Sequence, residues 1–174
     1  MIPVQDVIPS RSTPLVTVGL LIVASLALII ALWMGCANRL AMIYAPIHML
    51  FLWIFGDNVE GRIGPVRFAA LFLLAGAAGV AAHTLMTPQL PQATLLASGG
   101  VAGVLGAYFV LYPRSRVLTF FPLPFTLLEI PAVFYLGIFF VLHLPAGGAM
   151  LTQLVAGFAI GGLVCVALRK PVVW

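Results

Sequence analysis

Charged residues are scarce in this 174-residue chain: they make up 7% of it, whereas 63% of the residues are hydrophobic. So few charges exclude a water-soluble domain of this size, because such a domain could not keep its surface hydrated. The charges are confined to short stretches between long apolar runs. Lipid offers the backbone no hydrogen-bond partners, so these runs are predicted to be transmembrane helices, and they are too long for barrel strands.

The few cysteines and scattered basic residues indicate neither a disulfide-bonded protein nor a nucleic-acid-binding protein. The two cysteines, Cys36 and Cys165, are expected toward opposite ends of a helical bundle, which excludes a disulfide between them. The formal net charge is +4, yet the basic residues form no patch with interleaved aromatic residues. Nucleic-acid binding is therefore not expected, and the sequence predicts no cofactor and no metal site.

Six apolar segments approach or exceed the 20 or so helical residues that cross the hydrocarbon core of a bilayer. The first is as long as a full span, so we expect it to be retained and not removed as a signal peptide. Because the loops are short, residues 1–174 are predicted to form one domain, an all-α membrane protein with a six-transmembrane-helix bundle. The predicted helices cover residues 14–35, 40–56, 65–86, 94–112, 124–145 and 148–168.

The basic residues predict the orientation of this bundle. All but Arg39 fall in the N-terminal segment, the second and fourth loops and the C-terminal tail: Arg11, Arg62, Arg67, Arg114, Arg116, Arg169 and Lys170. By the positive-inside rule both termini are expected in the cytoplasm, and the membrane is expected to be a bacterial inner membrane. Glu129 is expected near the start of the fifth helix, where a carboxylate reaches the interface or favours the positive helix end.

Glycines recur at close spacing in two of the predicted helices: Gly99, Gly103 and Gly106 in the fourth, and Gly157 and Gly161 in the sixth. Small residues four apart let two helix backbones approach closely in lipid, so these helices are predicted to touch. Ser98 lies in the same stretch of the fourth helix. Taken alone, such a serine is more often a packing residue that hydrogen-bonds its own helix than a nucleophile.

Longer blocks of sequence are more specific than these short patterns. They are 51–64 with Arg67 and Phe68, then 97–99 running into 103–117, then 129–132, and 157–161. Together they are similar to the bacterial rhomboid family of intramembrane serine proteases. The resemblance runs along the whole chain and is strongest in the second and fourth helices and their cytoplasmic loops.

The resemblance implies a serine nucleophile in the outer part of the fourth helix and a histidine base on the sixth, since a serine hydroxyl needs a neighbour that accepts its proton. Ser98 matches the nucleophile. The histidine position, three residues before a Gly-Phe-x-x-Gly stretch, is Leu154, which accepts no proton. Gln153 beside it is not basic and is turned by about 100° around the helix. The resemblance therefore implies a scaffold without a catalytic base.

The family's oxyanion-binding side chains on the second helix are also exchanged. The asparagine position is His48, and the two histidine positions are Tyr44 and Arg39. The glycine two residues before the serine is Leu96, and the first outer loop is reduced to little more than residues 35–38. Losing one oxyanion donor costs a few kcal/mol, and losing the base removes most of the remaining rate, so we expect no useful proteolysis.

These differences predict a catalytically inactive rhomboid-like protein that lies in lipid and binds the transmembrane helices of other membrane proteins. A sharper form of this hypothesis is a stable subunit of a larger membrane complex, respiratory or photosynthetic. The alternative is an active protease in which His48 serves Ser98 as a relocated base. The competing interpretation is that His48 is neutral and hydrogen-bonded to a neighbouring helix, since no carboxylate is available to orient the imidazole.

The remaining histidines carry no predicted chemistry. His83 and His143 have no nearby acid or second ligand by sequence, so they are expected to be core or interface residues and not metal ligands. Transport or lipid handling has no positive feature in the sequence and is the residual hypothesis.

Overall fold

A computed structural model describes residues 2–6, 13–35, 39–87, 93–121 and 126–168, and their side chains except those of 2–6, 39–41, 93–95, 119–121 and 126–128. Its helices are α1 (Leu15–Trp33), α2 (Arg39–Ile63), α3 (Pro65–Met86), α4 (Ala93–Leu111), α5 (Ala132–His143) and α6 (Gly148–Leu168). Within these residues, α1, α2, α3 and α6 are long and apolar enough to cross a membrane. The predicted six-helix membrane fold is confirmed.

Helix α4 forms the centre of the bundle. Every residue from Ser98 to Tyr108 is buried, because α4 packs against α2, α3 and α6. Aromatic side chains fill the space between α4 and α2, where the rings of Tyr108 and Phe55 meet edge to face with centroids 4.7 Å apart. A residue on α4 is therefore held by three neighbouring helices at once.

Helix α2 continues for two turns beyond its predicted end at residue 56. The cluster Asp57, Asn58 and Glu60 indicated a loop, yet the structure keeps all three within the helix. Glu60 is buried, and its carboxylate accepts hydrogen bonds from the backbone N–H groups of Val16 and Thr17 at 2.9 and 2.7 Å. The polar cluster extends α2 because its acidic member is satisfied by another helix.

The predicted fifth helix begins eight residues too early, at 124, whereas α5 begins at Ala132. Residues Thr126–Pro131 form strand β3, which pairs antiparallel with β2 (Arg116–Phe121), and β2 pairs in turn with β1 (Ile2–Asp6). Periodicity did not predict this sheet, since a short apolar run does not distinguish a strand from part of a helix. Glu129 accordingly lies on β3, exposed, 3.3 Å from the Arg116 guanidinium, and not on a helix.

The arginines whose side chains are described lie at one end of the bundle. Arg62 and Arg67 flank the turn between α2 and α3, and Arg114 and Arg116 follow α4; all four are exposed. The two regions are adjacent, because the hydroxyl of Tyr112 at the end of α4 donates to the carbonyl of Asn58 on α2 at 3.4 Å. Arg11, Cys36, Arg169, Lys170 and the side chain of Arg39 are outside the described part of the chain.

Candidate functional site

The site begins with the backbone contact between α4 and α6. A Cβ atom on Gly161 would overlap the backbone of Gly103, and one on Gly157 would overlap the backbone of Gly99. Gly106 meets the backbone of Phe158 in the same way. The structure thus brings together all five glycines singled out in the sequence, and no larger residue fits at these three crossing points without a backbone shift.

Helix α3 joins this contact from the other side, which the glycine spacing of α4 and α6 did not predict. A Cβ on Gly79 would lie 3.0 Å from the Cα of Gly99, and one on Gly99 would lie 3.1 Å from the Ala75 carbonyl oxygen. Three helices therefore meet with their backbones almost in contact, directly beside the candidate nucleophile.

Ser98 precedes Gly99 on α4 and is almost completely buried, with 2% of its surface exposed. Leu96, at the position of the family's missing glycine, is more than one-third exposed. The hydroxyl is therefore enclosed by protein, next to the point where α3 and α4 come closest.

The residue at the position that the resemblance assigns to the base contributes packing. Leu154 lies on α6, has no exposed surface and belongs to the apolar core. Its neighbour Gln153 is also fully buried. The Gln153 Cγ lies close to α3, since a Cβ added to Gly79 would be 3.0 Å from it. Gln153 thus packs on α3, whereas Leu154 takes the position that the resemblance assigns to the base.

His48 is buried on α2 and bonds to its own helix, not to a neighbouring one as expected. Its ring donates to the backbone of Tyr44, while Nε2 has no hydrogen-bond partner among the described residues. The Ser98 hydroxyl therefore does not donate to Nε2, as a nucleophile would to its base. The His48 ring instead packs against α5, with its centroid 5.7 Å from that of Phe139.

His143, the last residue of α5, lies next to His48, a contact that the sequence did not reveal. Its ring centroid is 5.0 Å from that of His48 and 4.6 Å from that of Tyr44. Its Nδ1 is 2.6 Å from the Phe139 carbonyl oxygen, and the side chain is fully buried. The two histidines are far apart in the chain, so only the packing of α5 on α2 reveals the pair. His83 lies separately on α3 and is partly exposed.

Comparison with known proteins gives a match over most of the chain. A family model described as the Rhomboid domain matches residues 42–170, which include Ser98, Leu154 and nearly all of α2 to α6. Rhomboid protein 1, mitochondrial, of Saccharomyces cerevisiae (strain ATCC 204508 / S288c) is 34% identical over 83 residues. The matched stretch is 44% of this chain and 24% of that relative, so the chain spans well under half of the relative's length. No solved structure matches the chain.

Proposed function

This chain belongs to the rhomboid family of membrane proteins, and we propose that it is an inactive member that binds transmembrane helices of other proteins. The observation that carries the proposal is Leu154. Its apolar side chain is fully buried at the position on α6 that the resemblance assigns to the base, and leucine has no atom that accepts a proton from Ser98.

The loss of the oxyanion donors points the same way. The His48 ring donates to the backbone of Tyr44, and its Nε2 has no partner among the described residues, so the donor is Nδ1. Nε2 then carries the lone pair and cannot donate to a developing oxyanion. Tyr44 stacks on the imidazole of His143. A tetrahedral intermediate at Ser98 would therefore lack a proton acceptor on α6 and a donor at His48, and the combined loss leaves little catalysis.

An active protease with His48 as the base remains the second candidate function. One observation favours it: the Nε2 of His48 is buried with its lone pair available. Such a nitrogen is chemically able to accept the Ser98 proton if the ring turns away from α5.

Proteolysis assays on the purified chain in lipid, with labelled single-span substrates, separate the two candidates. We expect no cleavage beyond that of the Ser98→Ala variant. Serine-dependent cleavage that is also lost in His48→Ala would establish the protease instead. A Leu154→His variant that gains serine-dependent cleavage would identify the base as the missing group.

Helix binding is supported by the apolar surface of α1. Thr17 is the only buried residue of this helix, and Val23, Leu26 and Ile30 each expose more than half of their surface. Only lipid tails or another apolar helix match such a surface. We place the protein in a bacterial inner membrane with both ends in the cytoplasm, as a stable subunit of a larger respiratory or photosynthetic complex.

Isolation in mild detergent followed by mass spectrometry tests the subunit proposal. A membrane protein that co-purifies in stoichiometric amount is expected, and its crosslinking to a photoreactive group at Leu26 would identify α1 as the contact. Recovery of a lone monomer would contradict the proposal.

A further inference from the structure

The outward face of α3 carries an apolar stripe along most of its length. Val66, Ala70, Leu74 and Ala77 are exposed, and their spacing of three or four residues places them on one side of the helix. The residues that α3 buries lie on the other side: Phe68, Leu71, Phe72, Ala75, Gly76 and Gly79. The α3 stripe therefore faces the hydrocarbon of the membrane.

Arg67 lies at the membrane-surface end of the α3 stripe. It is exposed and precedes Leu74 by about two helical turns, so it lies on the same side of the helix. The 22 residues of α3 are about 33 Å long, slightly more than the hydrocarbon core of about 30 Å. Because Arg67 is in the first turn, its guanidinium reaches the headgroup layer while the stripe lies at the depth of the acyl chains.

Two further arginines lie close to Arg67. Arg62 is one turn beyond Asn58 on α2, and Arg67 follows it across the short turn between α2 and α3. Tyr112, two residues before Arg114, donates its hydroxyl to the Asn58 carbonyl oxygen at 3.4 Å. The three arginines therefore surround one junction, where α2 and α4 end and α3 begins.

None of these three arginines has an ion-pair partner among the described residues. Arg116, at the same end, differs because it pairs with Glu129 at 3.3 Å. The carboxylate of Glu60 is buried and accepts hydrogen bonds from α1. Asp57 is partly buried within α2, and one of its oxygens accepts the N–H of Asn58 at 2.7 Å. An excess of exposed positive charge therefore remains beside the α3 stripe.

We propose that Arg67, with Arg62 and Arg114 beside it, binds the phosphate of an anionic phospholipid whose acyl chain lies along the α3 stripe. A guanidinium donates paired hydrogen bonds to phosphate oxygens, and arginines clustered next to a transmembrane helix attract anionic lipids. The stripe favours a lipid over a free phosphate ion, which has no apolar part to place on it.

This lipid site goes beyond the proposed binding of transmembrane helices, because its ligand is part of the membrane itself. It also holds for either orientation of the bundle, since both leaflets contain phosphate groups at the depth of Arg67. The arginine end thus acquires a binding role in addition to its predicted role in orientation.

Native mass spectrometry of the full chain tests the proposal, with dioleoyl phosphatidylglycerol or dioleoyl phosphatidylcholine added to the detergent. The two lipids share their acyl chains and differ in net charge. We expect the anionic lipid to bind at least about tenfold more tightly. Arg67→Gln should reduce this preference about fivefold, which is the effect of one arginine near an anionic surface. Arg67→Lys keeps the charge and should retain most of the preference.

The double variant Arg116→Gln with Glu129→Gln is the matched control, because it removes an arginine from the same end without changing the net charge. Its preference should equal that of the unmodified chain. Equal binding of the two lipids by the unmodified chain, or an unchanged preference in Arg67→Gln, would overturn the proposal. Displacement of the lipid by excess inorganic phosphate would also overturn it, since the site would then bind an anion only.

Circular dichroism of each variant confirms that the fold is intact, as expected for substitutions of exposed side chains. The proteolysis and co-purification experiments report separately on the proposed function, because neither measures lipid binding.

Discussion

Glu60 illustrates how a single residue changes the meaning of a polar cluster. The N-terminus of α1 begins after Pro14, which offers no side-chain cap. Glu60 of α2 supplies that cap, since its two oxygens accept from the N–H groups of Val16 and Thr17 and from the Thr17 hydroxyl. A carboxylate at a helix N-terminus is further favoured by the helix dipole. The most deeply buried described acid therefore joins two helices.

Replacing Glu60 by glutamine should destabilise the protein by about 1–3 kcal/mol, because the amide lacks the charge and aims N–H groups at N–H donors. Unfolding in mixed micelles, followed by circular dichroism, measures the loss. Glu129→Gln is the control: its ion pair with Arg116 is exposed, and such pairs contribute about 0–1 kcal/mol. Equal effects of the two substitutions would contradict the capping role.

Leu154 is the residue on which the functional proposal depends, and the sequence located it only through the family resemblance. The structure adds that the side chain is fully buried in the apolar core. Composition and spacing alone would not distinguish this leucine from its neighbours, because its significance comes from what the family has at that position.

At the scale of helices, the contact between α4 and α6 was predictable because small residues four apart form a stripe on one face. The participation of Gly79 of α3 in this contact was not predictable, because the small residues of α3 occur on several faces of that helix. Only the packed arrangement shows that Gly79, and not another small residue, faces Gly99.

Gly161→Ala should destabilise the bundle by roughly 1–3 kcal/mol, since the added methyl group would overlap the backbone of Gly103 and backbone yields poorly to overpacking. Gly19→Ala on α1 is the matched control, because nothing lies within 4 Å of its added Cβ. Its effect should stay within about 0.5 kcal/mol. The unfolding assay in mixed micelles compares both variants, and a similar loss in both would show that the crossing tolerates a methyl group.

The ends of α2 and α5 were predicted wrongly for related reasons. Charged residues after position 56 resembled a loop, but Glu60 finds partners on α1. The apolar residues before Ala132 resembled a helix, but they find backbone partners on β2. In both places a contact with a distant segment decided the local conformation, as tertiary context commonly does.

At the scale of the whole molecule, the exposed arginines at one end of the bundle support a single orientation. Arg62 and Arg67 lie between α2 and α3, and Arg114 lies after α4, next to the end of α2. Gly148 begins α6 at the other side of α5 and is also exposed. By the positive-inside rule we predict that the arginine end faces the cytoplasm.

Cysteine labelling tests this orientation in a background with Cys36→Ala and Cys165→Ala. Arg114→Cys should react with a membrane-impermeant maleimide only in inverted vesicles, because the arginine end is predicted to face the cytoplasm. Gly148→Cys should react only in right-side-out vesicles; the position accepts a side chain, since nothing lies within 4 Å of its Cβ. The reverse pattern would place the termini outside.

Composition and the spacing of apolar runs determined that this chain is a helical membrane bundle, because whether a segment enters lipid depends on its own residues. They also predicted the α4–α6 contact, since a glycine stripe is a local pattern. The tertiary structure alone decided the cap that Glu60 places on α1, the three-stranded sheet and the pairing of His48 with His143. The cap, the pairing of β1 with β2 and the contact of the two imidazoles each join groups that are distant in the chain. No local pattern records which distant group will meet a buried charge, a strand edge or an imidazole ring.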